Sequence, residues 1–301
     1  MALGTNNTTA AVANNFIPEL WSDEVIGAYK SNLVLANAIT KMSHKGKKGD
    51  SIHIPKPNRG NTAGTGNGAH VKGAGTQVTL NAATNDVLTI SINKHYEYSK
   101  LIEDIAETQA LSSMRKFYTD DAGYALAQQV DDDLFTTAND TTDGFGGLVY
   151  GATGTTTVDS NTDELTDLGI RKMILALDNA DVPMDGRSII IPPVAYSSML
   201  GLDRFTEQAF IGDGNAIKTG HIGSIYGINV LVTSNAPTVT SSTDRIGVML
   251  HKDSLVLAEQ MGIRTQTQYK QEYLGDLFTA DTIYGTSCLR PEGGVNFRVG
   301  A

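Results

Sequence analysis

One cysteine, Cys288, stands in 301 residues, so no disulfide can close within the chain, and the sequence reads as one made and kept in a reducing cytoplasm. A lone sulfur of this kind reads as a small buried hydrophobe. Long apolar runs are missing too, and none approaches the length of a bilayer crossing, so no membrane contact is expected. The opening MALGTNNTTAAVANN has neither a basic nor an apolar leader segment and reads as a loose arm rather than a signal or transit peptide. Basic residues are in deficit: 23 Lys and Arg against 33 Asp and Glu leave a net charge of −10, which excludes counterion release as a strong grip on nucleic acid. The six histidines are scattered singly, without HxxxH or HExxH spacing, so no metal site is expected.

What is present is ordinary for a folded protein: 40% hydrophobic and 19% charged residues, over a length that allows one large core or two modest ones. The charge is uneven. From Lys41 to Lys72 the chain carries Lys45, Lys47, Lys48, Lys56 and Arg59 against Asp50 alone. From Glu103 to Asp143 the sign reverses, with Asp104, Glu107, Asp120, Asp121, Asp131, Asp132, Asp133 and Asp140 against Arg115 and Lys116. Each block by itself reads as a solvated face, and the pair allows a complementary contact between subunits.

Ser51–Pro55 and Leu88–Asn93 alternate polar and apolar residues and read as strands with one buried face. The glycine-rich NRGNTAGTGNGAHVKGAG lies between them, which predicts a long two-stranded excursion with too little sequence to bury a core of its own. Ser112 or Ser113 is the expected N-cap of a helix reaching about residue 137, with Met114, Phe117, Tyr118, Ala122, Ala125, Leu126 and Val130 as its apolar face. A second helix is expected from near Asp163, with Ile170, Met173, Ile174 and Leu177 at helical spacing. RSIIIPPVAYSSML gives a buried strand stopped by Pro192-Pro193 and then a short helix. INVLVTS, RIGVMLH and the chain from Ile263 onward are β-rich, and the class is α+β.

The chemical motifs fail on context. Gly64-Thr-Gly66-Asn-Gly68-Ala69 spells a relaxed dinucleotide fingerprint with Asp86 downstream, but no helix can open at once behind it to meet a pyrophosphate. Gly46-Lys47 is followed by Lys48 where a phosphate loop needs Ser or Thr. Asp159, Asn161 and Asp163 have the spacing of a calcium loop, without its turn glycine and closing glutamate. Gly285-Thr-Ser287-Cys-Leu289 lacks the last glycine of a nucleophile elbow. Asp131, Asp132 and Asp133 point about 100° apart on a helix and cannot converge on one ion. No catalytic set, metal or cofactor is read from the sequence.

The order of elements, with DVPMDGRSIIIPPVAYSSML, GSIYGINVLVTSN, LHKDSLVLAEQ and the closing RPEGGVNFRV, resembles the major capsid proteins of tailed bacteriophages with the Hong Kong 97-type fold. LIEDIAETQALSSMRKFYTDDAGYALAQQVDDDLF is similar to coat proteins of short-tailed phages. The resemblance implies an N-arm over residues 1 to about 45, an extended E-loop over 46–95, and a peripheral domain over 96–145 that carries the long spine helix and is completed by 260–301. An axial domain would span 146–259. It implies a subunit that self-assembles into pentamers and hexamers enclosing double-stranded DNA without sequence-specific binding. A separate scaffolding protein, a portal and a decoration protein are the implied partners, with assembly in the host cytoplasm and residence in the virion. In the family the E-loop lies across a neighbouring subunit, so Lys56, Arg59 and Lys72 are expected to meet Asp120, Asp121, Asp131 and Asp132 of the next copy. A Lys–Asn cross-link known in the family would have Lys72 and Asn296 as counterparts. An encapsulin-like nanocompartment shares the fold and is the alternative, with an enzyme of unknown class as a remote one.

Overall fold

A computed structural model describes residues 34–57, 72–78, 85–105, 114–145, 149–151, 164–202, 223–239 and 243–300. The alternation in the basic stretch does form a hairpin. Strand β2 (Ser51–Pro57) pairs antiparallel with β3 (Asn85–Ser91), from Ser51 opposite Ser91 to Pro57 opposite Asn85. Its base is anchored: Ile90 and Ile92, with Ile52 and Ile54, pack on Val256, Ala258, Ile283 and Leu289. Pro55, Lys56 and Val87, farther out, are exposed. Most of the glycine stretch and Arg59 lie outside the described residues.

That anchor is a four-stranded sheet in the order β1 (Thr40–Ser43), β10 (Leu255–Lys270), β11 (Gly275–Cys288), β4 (Lys94–Glu103). Before it, the single turn α1 (Leu35–Ala38) buries Leu35. The 26-residue helix α2 (Met114–Asn139) lies on the sheet's other face. Ala122, Leu126, Leu134 and Ala138 are buried and Val130 half-buried, a series in steps of four. Such steps advance about 40° round the helix, so the stripe winds as it runs. Its first part therefore meets Phe278 and Ala280 of β11, and its last part meets Tyr284, Ile190, Val248 and Leu250. Phe117, expected on the apolar face, is 40% exposed, whereas Leu134 and Phe135, near the expected helix end, are fully buried.

A six-stranded sheet runs β5 (Val149–Gly151), β12 (Gly294–Val299), β9 (Arg245–His251), β6 (Arg187–Ile191), β8 (Ile228–Val232), β7 (Ser224–Ile225). β6 is buried at all five positions because both its faces are covered. Ile189 and Ile191 face helices α3 (Asp167–Asn179) and α4 (Pro193–Leu200), while Ile190 joins the end of α2. Helix α3 starts later than expected: Thr166 is its cap, with its hydroxyl accepting from the Gly169 amide at 3.2 Å. Its far end is tied to β6 by buried Arg187, which donates to the Val182 and Pro183 carbonyls and pairs with Asp178 at 2.7 Å. Although β10 and β11 belong to the first sheet, β12 belongs to the second, so residues 260–300 divide between them.

Gly247 of β9 stands opposite Phe297 of β12, and a Cβ there would overlap the Phe297 ring, itself fully buried. Gly247→Ala is expected to lower stability by about 1–3 kcal/mol through overpacking, read as a fall in the denaturant midpoint of the unassembled subunit.

Candidate subunit-contact site

Of the basic residues expected to reach a neighbour, Lys56 is exposed on the outer half of β2. Lys72 is exposed in a local turn, where its ammonium donates to the Gly73 carbonyl at 3.2 Å and the Thr76 hydroxyl at 3.3 Å. Arg59 lies outside the described residues. On the acidic side, Asp120 is exposed and Asp121 is half-buried, accepting from the Tyr98 hydroxyl at 3.1 Å.

Asp131 and Asp132 do different work from that expected of them. The 100° steps of the helix send three successive carboxylates to three parts of the chain. Asp131 is fully buried and accepts the Val34 and Ala36 amides at 3.2 and 2.9 Å, clasping the segment that leads into β1. A carboxylate enclosed in this way cannot be offered to a neighbour, and Asp131 is withdrawn from the contact set. Asp132, half-buried, accepts from Asn235 at 2.7 Å, and Asn235 accepts in turn from Gln128 at 3.0 Å, which ties α2 to the loop after β8. Asp133 accepts from the Tyr284 hydroxyl at 2.6 Å and pairs with Lys94 at 3.2 Å, fixing α2 to β11 and β4. The partners lie many tens of positions away in sequence, which is why no local pattern could show them.

Burial pushes the Asp131 carboxyl up, against the opposing effect of the amides it accepts from. Burial also raises Asp132, with Asn235 acting the other way. The Tyr284 phenol is driven far up, first by burial and then by Asp133, and so stays a donor. On the opposite face of the first sheet, the Arg264 guanidinium grips Asp281 through two bonds at 3.1 and 2.7 Å, with His95 at 3.3 Å. The Arg264 bond, ahead of His95, holds the Asp281 carboxyl below its usual range.

Other candidates take structural places. Cys288 is buried with its thiol pushed up to about 11, mainly by burial, and the Gly285–Leu289 run is strand or strand end rather than a strand-to-helix elbow. Asn296, the imagined cross-link partner of Lys72, is fully buried in β12 and donates to the Ala138 carbonyl at 2.9 Å at the end of α2. Enclosed there, it is closed to an approaching lysine. Among the described residues, no three His, Cys, Asp or Glu side chains gather as a metal site, and no helix is long and apolar enough to cross a membrane.

A long helix lies across one sheet, a second sheet shares its core, and a hairpin is anchored at its base on the first sheet, an α+β arrangement that matches solved phage capsid structures. The structure is similar to one from Mycobacterium phage Che8 (24% identity, TM-score 0.77, covering 94% of this chain and 97% of that one). It is similar also to the capsid of cyanophage P-SCSP1u (20% identity, TM-score 0.75, 99% and 96% covered). A third likeness is to the capsid of a native GTA particle computed with C5 symmetry (12% identity, TM-score 0.65, 99% and 100% covered). No curated protein matches. Residues 102–295 match the family model described as phage capsid protein, and the chain belongs to that family. It is a structural capsid protein of the virion.

Asp131→Ala leaves the Val34 and Ala36 amides without their acceptor and is expected to cost roughly 2 kcal/mol, with faster proteolysis near Val34. Asp131→Asn should recover part of this, because its carbonyl can still accept one amide. For Asp281 the folded-state pKa is depressed, so its contribution is present above the unfolded value of about 3.9 and is lost as pH falls through the folded one. Asp281→Asn should therefore lower the thermal midpoint at neutral pH and flatten its decline in the acid range. An unchanged acid limb would show that Asp281 does not contribute to it.

Proposed function

We propose that the chain is the major shell subunit, which self-assembles into pentamers and hexamers and closes an icosahedral capsid around packaged double-stranded DNA. The observation that carries this reading is the β2–β3 hairpin, held to the body at its base by Ile90 and Ile92 and exposed farther out at Pro55, Lys56 and Val87. A two-stranded ribbon is marginal alone and needs another surface to lie on. The fivefold symmetry of the similar GTA capsid supports the pentamer. In this reading a scaffolding protein and a portal guide assembly in the host cytoplasm, and a decoration protein is a further partner. An acidic wall suits DNA that slides rather than sticks. The encapsulin alternative is disfavoured by the family to which the chain belongs.

The hairpin's Lys56, Arg59 and Lys72 meet Asp120 and Asp121 of the neighbouring subunit, beside main-chain and apolar contacts. Asp121 and Asp132 are weaker candidates than exposed Asp120, because Tyr98 and Asn235 already hold them. Exposed pairs contribute under about 1 kcal/mol each, so their effect comes from repetition round the shell. Co-expression with a scaffolding protein and electron microscopy of the particle fraction should show closed shells tens of nanometres across, on the order of the size many such subunits enclose. A discrete monomer or dimer under every condition would overturn the capsid reading. Reversing Lys56, Arg59 and Lys72 to Glu should lower shell yield and the denaturant midpoint of disassembly, more so at low salt. Unchanged yield and midpoint would exclude the charge contact.

A further inference from the structure

We draw no further inference here: the strongest candidate, the exposed apolar side chains of Leu101, Ile105, Tyr269, Tyr273 and Leu274 at the end of the four-stranded sheet where β10 turns into β11, carries none because nothing in the structure shows what covers them.

Discussion

Three consecutive carboxylates on one helix hold the subunit together. Asp131 clasps the segment leading into β1, Asp132 reaches the loop after β8 through Asn235, and Asp133 takes the Tyr284 hydroxyl and Lys94. Because successive helical residues diverge by about 100°, no single strand or loop could satisfy all three. Each partner is therefore a different part of the chain, and α2 becomes the element to which the rest is referred. Apolar burial of Leu134, Phe135 and Ala138 supplies attraction along the helix. The carboxylates supply direction, since a buried acceptor left without its donors costs more than a paired one contributes.

The two sheets share this helix because its buried stripe winds. Steps of four carry the apolar series from Ala122 round to Ala138, so one end lies on Phe278 and Ala280 and the other against Ile190, Val248 and Leu250. β12 strengthens the join. It follows β11 closely in sequence yet enters the other sheet between β5 and β9, and its Asn296 donates to the Ala138 carbonyl at the end of α2. Helix, closing strand and both sheets thus meet in one place. The hairpin attaches at the opposite face of the first sheet.

Local periodicity made much of this legible. Alternation at Ser51–Pro55 and Leu88–Asn93 gave the hairpin, although β3 ends at Ser91; helical spacing at Ile170, Met173, Ile174 and Leu177 gave the core face of α3, and the apolar run before Pro192 gave β6. Boundaries and ends were less legible. α3 begins at Asp167 behind its Thr166 cap rather than near Asp163, and α2 buries Leu134, Phe135 and Ala138 more deeply than Phe117. A helix whose contacts pass from one sheet to another has no single apolar face, so a fixed-face reading captures only its first partner. The roles of Asp131, Asp132 and Asn296 were not legible at all. Acidic residues in a row read as a solvated face, and nothing nearby announces Val34, Asn235 or Ala138 as partners. The missing signal is tertiary: a carboxylate stays in a core only where donors converge on it.

A capsid subunit must satisfy two opposed conditions, and the distribution of polar groups answers both. It must be rigid enough that a small angular error does not accumulate round a closed shell, and its contacts must be weak enough singly for misplaced copies to leave. Rigidity is assigned to the interior, where low dielectric strengthens hydrogen bonds such as those of Asp131 and Asp133. Reversibility falls to the surface, where exposed charges are screened and an ion pair contributes under about 1 kcal/mol. Exchanging the two would fail on both counts. Strong exposed contacts would trap wrong geometries, and a loosely joined interior would let the two sheets shift against each other, so that the same surface would present a different angle in every copy.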